Sequence, residues 1–360
     1  MKRNVLFLDP FHTGSHRQFS LGWRSVSNHE VNVFAGAGRH WKWRMRAFAV
    51  QCAERMESGS FPEQIDLIIT TSMTDVATLR GLSTTIARHP IGCYFHENQF
   101  RYPIREGERI DYQAGWMQLM TLRSSDSVAF NSHHNLETFF AEAEAFLRRM
   151  PDATAGRALD VFRDRCRVIP AGYDVWPVSH RSGSGDTIRL GWVSRWAHDK
   201  RPDRFLSLLK MLEVADLDFR LILLGPGQRD RDPAWREICH RFASRLNHAA
   251  TTDDFESYRE QLQRIDLVVS TADHEFFGTA ICEAIHAGAT AVVPDGLAYD
   301  DYIDTPCRYQ NLEQAADIIR RLASSTELAA FGNAQRRSIE RFERSRVSAA
   351  MDQWVEDILR

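Results

Sequence analysis

Residues 266–294 read DLVVSTADHEFFGTAICEAIHAGATAVVP, with two short apolar runs on either side of a loop and a longer segment. Asp266–Ser270 and Thr290–Val293 have the length and the branched residues of buried strands, and Thr279–Ala287 between them suits a helix. Two strands joined through a helix in one sheet run parallel, because the helix returns the chain to the same edge. The stretch therefore predicts an α/β fold with a parallel, doubly wound sheet.

The rest of the chain repeats this alternation of short apolar runs and longer amphipathic runs. Further strands are predicted at residues 5–8, 30–35, 66–70, 91–95, 127–130, 188–193 and 219–224. Further helices are predicted at residues 41–56, 112–123, 133–147, 203–214, 235–246 and 345–360.

The pattern pauses between residues 169 and 186, where Gly, Pro and Ser are frequent, and we interpret this segment as a linker. We expect two Rossmann-like domains, residues 1–172 and 173–344. The C-terminal helix, residues 345–360, is predicted to pack back on the first domain, since Val347, Met351 and Trp354 share one side of it.

The composition is that of an ordinary globular protein, with 43% hydrophobic and 26% charged residues in 360. A formal net charge of −3 excludes a general polycation, so any contact with nucleic acid needs a local basic patch. The six cysteines are scattered without a CxxC pair, which argues against a disulfide framework or a zinc site. No apolar run approaches roughly 18 residues. We therefore expect a cytoplasmic protein without membrane insertion.

In open α/β sheets, ligands bind beyond the carboxyl ends of the strands, so the loops at those ends are searched first. Glu275 and Glu283 are separated by seven residues and flank Gly278, which opens a predicted helix. A helix N-terminus favours phosphate, and a carboxylate on the first turns can bind a ribose diol. Two surface glutamates beside a helix would have the same spacing.

The basic stretch GRHWKWRMR, residues 38–46, follows the second predicted strand and combines four cations with two tryptophans. It is either a solvated helix start or a surface for RNA, where Trp stacks on bases and Arg or Lys meets phosphates. Trp41 and Trp43 point to different sides of a helix, so one of them is expected to be buried. Arg39, Lys42 and Arg46 are the residues that we predict to contact RNA.

The spacing of Glu275 and Glu283, the loop Gly191–Arg195 with Lys200, and the turn Leu223–Gly227 resemble motifs of retaining GT-B glycosyltransferases of family 4. Within that group, five stretches are similar to the tRNA-queuosine alpha-mannosyltransferases: DPFHTGSHRQF, RHWKWRMR, YFHENQFRYP, FNSHHNLETFF and STADHEFFGTAICEAI. The resemblance runs in register from Asp9 to Asp301. It implies the GT-B fold, two Rossmann-like domains facing a central cleft.

The resemblance implies that mannose passes from GDP-mannose to the cyclopentenediol of queuosine in tRNA, with retention of configuration. The expected acceptor is the anticodon of tRNA-Asp. No metal is expected, because fixed cations can stabilise the charge that develops on the leaving diphosphate. The implied catalytic residues are His96, Glu275, Arg195 and Lys200. The implied donor-binding residues are Gly14, Ser15, Arg195, Lys200, Gly225, Phe277, Gly278, Thr279 and Glu283. The implied acceptor-binding residues are His12, His16, Arg39, Lys42, Arg46, Glu97, Asn98, Gln99, Asn131 and His133.

Alternatives remain at this level. Ser15 and the run Asn131–His134 also suit helix N-termini, where short polar side chains cap free N–H groups. The same fold could act on a lipid or glycan acceptor at a membrane surface, bound by the helix that starts at Trp41. An inactive transferase fold could also serve only to bind RNA, although the four charged donor-site residues argue against this. No general base and no oligomeric state is assigned.

Overall fold

The computed structural model describes residues 1–103, 111–151, 159–178, 187–227, 229–250 and 254–360. The chain divides into two compact units. The N-terminal unit comprises Met1–Gly172 and Phe342–Arg360, and the C-terminal unit comprises Tyr173–Arg341. The division falls within the predicted linker, whose polar part, residues 179–186, lies outside the described residues.

The N-terminal unit is built on a six-stranded parallel sheet with the strand order β2-β1-β3-β4-β5-β6. Its strands are β1 (Asn4–His12), β2 (Glu30–Ala37), β3 (Leu67–Thr71), β4 (Ile91–Phe95), β5 (Ser127–Phe130) and β6 (Cys166–Val168). Its helices are α1 (Gly14–Val26), α2 (Trp41–Glu57), α3 (Val76–Leu82), α4 (Thr84–Ala87), α5 (Tyr112–Ser124), α6 (His133–Leu147) and α7 (Asp160–Arg163).

The C-terminal unit has a second six-stranded parallel sheet, with the order β12-β11-β10-β7-β8-β9. Its strands are β7 (Ile188–Val193), β8 (Phe219–Leu224), β9 (Leu246–Ala250), β10 (Leu267–Val269), β11 (Thr290–Pro294) and β12 (Arg308–Tyr309). Its helices are α8 (Pro202–Val214), α9 (Pro233–Arg241), α10 (Phe255–Leu262), α11 (Thr279–His286), α12 (Leu312–Ala323) and α13 (Glu327–Ile339).

The central strands are apolar on both faces. Every residue of β3 and β4 is buried, as is every residue of β10. Such strands need helices on both sides of the sheet to exclude water, which is why their sequences are continuous apolar runs and do not alternate. Each sheet also has a point where the strand order reverses, between β1 and β3 in one unit and between β7 and β10 in the other. Ligands of open α/β sheets bind at such points.

The last helix, α14 (Arg344–Ile358), belongs to the N-terminal unit. Val347, Met351 and Trp354 are buried, as the amphipathic pattern predicts. Asp352 is also buried on this helix, and its carboxylate accepts hydrogen bonds from Trp23 Nε1 at 2.8 Å, Ser27 Oγ at 2.6 Å and the Asn28 backbone at 2.7 Å. The final segment of the chain is therefore a structural part of the first sheet's unit.

Two expectations about elements are wrong. The strand predicted at residues 5–8 continues to His12 as β1, and α1 begins soon after it at Gly14. The predicted helix at residues 235–246 ends at Arg241, and Leu246 instead begins β9, which pairs with β8. Leu246 pairs with Leu221 of β8. Because the two residues are far apart in sequence, the residues around Leu246 do not reveal this pairing.

All six cysteines lie in the described part of the chain and none of them forms a disulfide. Among the described helices, none combines the length and the apolar character needed to span a membrane.

Candidate active site

A cluster of histidines around one carboxylate lies where β1 and β4 end in the N-terminal unit. We call it the histidine cluster: Asp9, His12, His16 and His96. Asp9 is fully buried near the end of β1, and its Oδ2 lies 2.8 Å from His12 Nδ1. Its Oδ1 lies 3.7 Å from His16 Nδ1, on the first turn of α1. One buried carboxylate thus faces two imidazoles.

His96, directly after β4, stacks on His16. The two ring centroids are 4.1 Å apart with an interplanar angle of 34°. Phe19 and Tyr94 pack around His96, with centroids 4.9 and 4.6 Å from its ring. Its Nε2 is buried without a hydrogen-bond partner among the described residues. The ring is therefore held by packing, and one nitrogen is left for a ligand.

The pKa values of the two stacked histidines are shifted in opposite directions. Burial alone would lower the pKa of His16, but the Asp9 and Glu97 carboxylates outweigh burial and raise it. For His96, burial and the neighbouring His16 charge together hold the pKa well below its usual value. Burial opposes ionisation of Asp9, yet the hydrogen bond with His12 and the nearby His16 imidazole keep its pKa below the normal range. At neutral pH Asp9 is therefore ionised and His96 is neutral, and His16 is the ring of the two that binds a proton more readily.

The polar run after β4 is fixed by hydrogen bonds within the unit. Gln99 Nε2 donates to Glu97 Oε1 at 2.8 Å, and the Gln99 backbone N–H donates to Gln118 Oε1 at 2.7 Å. Asn98 Oδ1 accepts from the Phe100 backbone at 2.9 Å, while its Nδ2 is buried without a partner among the described residues.

Asn131, at the end of β5, supports the same strand end. Its Nδ2 donates to the His96 carbonyl at 2.8 Å, and its Oδ1 accepts from Asn135 Nδ2 at the same distance. Asn131 thus holds the backbone of His96. A direct contact of its side chain with an acceptor remains a prediction.

The basic stretch forms the first turns of α2, and its two tryptophans differ in exposure. Trp43 has 62% of its surface exposed. Trp41 is half-buried and packs against Tyr102 and a cluster that contains Met45 and Met117. The exposed residues around Trp43 include Arg39, Lys42 and Arg46. Trp43 is therefore the tryptophan that a ligand can reach, and Trp41 is the partly buried one.

A second charged cluster lies at the strand-order reversal of the C-terminal unit. We call it the Lys200 cluster: Arg195, Asp199, Lys200 and Glu275. Lys200 Nζ lies 2.8 Å from Glu275 Oε2 and 3.5 Å from Asp199 Oδ2, and it donates to the His274 carbonyl at 3.2 Å. Arg195 Nη2 lies 3.5 Å from Asp199 Oδ2 and its side chain is exposed. Loops after β7 and β10 therefore bring two cations and two carboxylates together.

Lys200 controls the charge of Glu275. Burial raises the pKa of Glu275, but the Lys200 ammonium outweighs burial and the pKa is lowered overall. The carboxylate is therefore ionised at neutral pH and neutralises Lys200. An anionic ligand that bound Lys200 would release Glu275 for hydrogen bonds to hydroxyl groups.

Two glycines let the loops around this cluster approach each other. Gly225, after β8, has φ +135°, and a Cβ there would lie 1.9 Å from the Ser194 carbonyl oxygen beside Arg195. Gly278 has φ +87° at the start of α11, and a Cβ there would lie 2.6 Å from the Tyr302 hydroxyl. A residue with a side chain at either position would displace the loops. It would be strained at a positive φ angle, and its Cβ would have no space.

The remaining predicted donor residues line the start of α11. The Phe277 carbonyl accepts from Tyr302 at 2.8 Å, and Thr279 is the first helical residue. Glu283 is buried one turn further, where its Oε2 accepts from the Tyr258 hydroxyl at 2.9 Å. The two glutamates of the motif are thus held by different partners, Lys200 and Tyr258.

The structure brings His12, His16 and His96 together, and likewise Arg195, Lys200 and Glu275. Ser15 and His133 are exposed on the first turns of α1 and α6. Ser15 is not the cap residue of α1, because Thr13 precedes the helix and Gly14 opens it with φ +51°.

Sequence reasoning missed the two buried carboxylates, Asp9 and Asp199. Asp9 follows an apolar strand directly, and Asp199 precedes Lys200. Each is buried with cationic or imidazole partners, which a sequence motif does not reveal. Among the described residues, no group of three or more His, Cys, Asp or Glu side chains is arranged to hold a metal ion.

Comparison with known families gives a match to one family model, and comparison with known proteins gives several related sequences. Residues 4–173 match the family model for the N-terminal domain of tRNA-queuosine alpha-mannosyltransferase. The chain is 29% identical over 311 residues to the Drosophila melanogaster tRNA-queuosine alpha-mannosyltransferase, a match that covers 83% of this chain and 81% of that protein. It is 26% identical over 165 residues to GDP-mannose:cellobiosyl-diphosphopolyprenol alpha-mannosyltransferase of Xanthomonas oryzae pv. oryzae (strain PXO99A), covering 44% and 43% of the two chains.

Solved structures match over nearly the whole chain. Anabaena HepE, in complex with UDP and glucose, aligns with a TM-score of 0.67 at 16% identity, covering 99% of this chain and 100% of that one. Sucrose-phosphate synthase from Thermosynechococcus elongatus aligns with a TM-score of 0.69 at 15% identity, covering 99% of each chain. These likenesses show the fold, and they confirm the predicted GT-B class with two Rossmann-like sheets.

Proposed function

We propose, from the confirmed resemblance to the tRNA-queuosine alpha-mannosyltransferases, that this chain transfers mannose from GDP-mannose to queuosine in tRNA. The observation that carries the proposal is the match to the Drosophila melanogaster protein, which extends over 83% of the chain and so includes parts of both units. The protein is accordingly a glycosyltransferase. For a tRNA acceptor we propose a cytoplasmic location, because mature tRNA is found there.

The Lys200 cluster supports the donor end of the reaction. When the bond between mannose C1 and the phosphate oxygen breaks, negative charge develops on the diphosphate. Lys200 and Arg195 are fixed cations that would stabilise this charge, and for this reason we propose that no metal ion is required. Glu275, released from Lys200 by the diphosphate, would then accept hydrogen bonds from hydroxyls of the transferred sugar.

The start of α11 supports the nucleotide. Its first N–H groups and the positive end of the helix dipole favour phosphate, and Gly278 leaves room for close approach. Glu283, buried and held by Tyr258, suits the ribose diol of the nucleotide, because a carboxylate accepts two hydrogen bonds.

The N-terminal unit supports the acceptor. Its histidine cluster offers buried polar groups to a small hydroxylated moiety, and α2 presents Trp43 among exposed cations. Base stacking and phosphate contacts together are the means by which proteins hold single-stranded RNA. An anticodon loop is such a single-stranded segment.

The decisive experiment incubates the purified protein with GDP-mannose and either queuosine-containing or queuosine-lacking tRNA. Digestion to nucleosides and mass analysis should reveal a hexose added to queuosine, and no added hexose in tRNA that lacks it. UDP-glucose and UDP-galactose in place of GDP-mannose identify the donor. If no nucleotide-sugar yields glycosylated queuosine, the proposed acceptor is wrong.

A second candidate is a mannosyltransferase with a lipid-linked acceptor, which the similarity to the Xanthomonas oryzae protein favours over part of the chain. The basic residues and Trp43 on α2 could equally meet anionic lipid headgroups. Co-sedimentation with vesicles that contain anionic lipid, measured beside salt-sensitive retention of tRNA, separates the two. Vesicle binding with no tRNA retention would favour the lipid acceptor.

A further inference from the structure

Several buried polar atoms at the carboxyl ends of neighbouring strands have no partner. They are Thr71 Oγ1 at the end of β3, His96 Nε2 and Asn98 Nδ2 after β4, and His16 Nδ1 on α1, and none has a hydrogen-bond partner among the described residues. All four side chains are more than nine-tenths buried. Buried polar atoms in proteins are nearly always paired, because an unpaired one keeps its desolvation cost. Their concentration at one sheet edge indicates a binding site for a small polar ligand.

Asp9 organises the histidines of this site. Its Oδ2 lies at hydrogen-bond distance from His12 Nδ1, which defines the tautomer of that ring. Its Oδ1 lies 3.7 Å from His16 Nδ1, an ion-pair contact that is longer than a hydrogen bond. In the cationic form, His16 also carries a proton on Nε2 and can donate it to a ligand.

The stacked pair therefore presents one hydrogen-bond donor and one acceptor side by side. His16 as a cation donates, whereas His96 as a neutral ring accepts at its unpartnered nitrogen. Two adjacent hydroxyl groups match this arrangement, because one oxygen can accept while the other hydroxyl donates. The proposed acceptor group, the cyclopentenediol of queuosine, is such a vicinal diol.

We propose that the His16–His96 pair binds the vicinal diol of the acceptor, with His16 donating to one oxygen and His96 Nε2 accepting from the other hydroxyl, and that Asp9 is the positioning residue that keeps His16 a donor. This assignment rests on the proposed function, since it identifies the diol with that of queuosine. If the assignment holds, the His16–His96 pair determines the specificity for the acceptor. Asp9, which no sequence motif singled out, then has a defined role.

The charges around the pair come from few groups. Asp9 and His12 face it from β1, and Glu97 follows His96 after β4. Tyr94, which packs on His96, donates its hydroxyl to the Ile169 carbonyl at 2.8 Å and its pKa is raised far above neutrality by burial. Phe11 and Phe19 supply the remaining ring contacts and carry no charge.

A pH-dependent rate follows from these charges. Transfer requires His96 neutral, so activity is lost as pH falls through the lowered pKa of His96. It also requires His16 protonated, so activity is lost as pH rises through the raised pKa of His16. Between the two limbs the rate is constant.

The test is the pH profile of kcat/KM for queuosine-containing tRNA in Asp9→Asn. Asparagine keeps the size of the side chain and removes the charge that raises the pKa of His16, so burial then lowers that pKa. The alkaline limb should move to lower pH. At about pH 7.5 the loss should be roughly 10- to 100-fold, as for a lost hydrogen bond to a charged group, and activity should recover as pH falls.

Two matched variants locate the effect. His16→Gln keeps an amide donor that does not titrate, so the alkaline limb should disappear. His12→Gln removes the other partner of Asp9 and should leave the limb where it is, whatever the rate. Thermal unfolding and GDP-mannose binding of each variant report whether the fold is intact. A loss in Asp9→Asn by the same factor at every pH, or an alkaline limb that persists in His16→Gln, would overturn the proposal.

A second readout does not depend on turnover. In protein labelled with ¹⁵N-histidine, the pH at which His16 loses its second proton should be lower in Asp9→Asn than in the wild type. Queuine, which has the diol ring and no ribose, should shift the His16 and His96 signals. 7-Aminomethyl-7-deazaguanine, which lacks the ring, should not. Shifted signals without mannosyl transfer would refute the proposed function alone, whereas transfer without any shift by queuine would refute the diol assignment alone.

Discussion

At the scale of single residues, the electrostatics of the donor end depend on Lys200. It neutralises Glu275 at 2.8 Å and lies 3.5 Å from Asp199, so one ammonium group balances carboxylates from two loops. A cation held in this way costs little reorganisation when the diphosphate develops charge. Because Lys200 contacts both carboxylates, removing its side chain should disturb the whole site.

Lys200→Ala should lower kcat for mannosyl transfer by roughly 10²-fold or more, because a cation that stabilises the leaving group is lost. Without Lys200, burial should also raise the pKa of Glu275. Binding of tRNA, measured by filter retention, should be unchanged. Lys210→Ala is the control, since Lys210 pairs with Glu237 on the same unit's surface and should transfer at the wild-type rate. Loss of tRNA binding together with transfer would indicate misfolding instead.

At the scale of elements, α2 carries a packing side and an exposed side from one short basic sequence. Trp41 packs against Tyr102 and the methionine cluster, whereas Trp43 is exposed between Lys42 and the arginines. The helical period places residues two positions apart on different sides, which is why the two tryptophans separate.

Trp43→Ala should weaken tRNA binding by about 1–3 kcal/mol, the usual contribution of one stacked base, with little change in thermal stability. Trp41→Ala should do the reverse, lowering stability because a packed ring is lost. Affinity by fluorescence anisotropy and unfolding by circular dichroism separate the two outcomes. Equal losses of affinity in both variants would mean that α2 does not stack on RNA through Trp43.

The loops after β7 and β8 depend on a glycine. Gly225→Ala should destabilise the protein by about 1–3 kcal/mol, because a methyl group would meet the Ser194 carbonyl in a strained backbone region. It should also raise KM for GDP-mannose by displacing the neighbouring Arg195. Gly81→Ala is the matched control, since a Cβ there meets nothing within 4 Å on α3. Chemical denaturation and donor titration give both quantities, and an unperturbed Gly225→Ala protein would contradict the role of this contact.

At the scale of the whole molecule, the chain ends by completing the unit in which it began. Asp352 on α14 accepts three hydrogen bonds from the end of α1 and the residues that follow it. Trp354 adds a hydrogen bond to Ser127 at 2.8 Å and packs over Gly92. The N-terminal unit is therefore not formed by residues 1–172 alone.

Asp352→Ala should lower the free energy of unfolding by about 3 kcal/mol, because buried donors on Trp23, Ser27 and Asn28 lose their acceptor. Asp357→Ala on the same helix should cost less than about 1 kcal/mol, since its ion pair with Arg167 is half-exposed. Urea denaturation of the two variants compares them directly. An Asp352→Ala protein as stable as Asp357→Ala would show that α14 is not anchored through this carboxylate.

Most of the architecture could be predicted from local patterns. The strands at residues 91–95, 127–130, 188–193 and 219–224 coincide with apolar runs, because fully buried parallel strands leave no polar alternation. The motif around Glu275 and Glu283 also predicted a loop followed by the start of a helix, and α11 does begin directly after Gly278. This prediction succeeds because a helix start depends on residues that are adjacent in sequence. The resemblance to the tRNA-queuosine alpha-mannosyltransferases was likewise predicted from short motifs, and residues 4–173 match the N-terminal model of that family.

The helix predicted at residues 235–246 is too long at its C-terminal end, and the reason is a tertiary contact. Trp235, Ile238, Phe242 and Leu246 keep a helical period, so the sequence alone favours one continuous helix. Leu246 leaves it because pairing with Leu221 of β8 extends the sheet, and strand pairing across such a separation is a tertiary contact.

The chemistry of the histidine cluster was likewise beyond local patterns. Each histidine was a reasonable candidate from its motif, yet His16 and His96 are 80 positions apart and meet only because β4 lies two strands from β1 in the sheet. Local propensity and periodicity act over a few residues and so define elements and motifs. Burial, charge balance and unpartnered atoms depend on which elements become neighbours, and only the tertiary structure brings Asp9, His16 and His96 into one buried cluster.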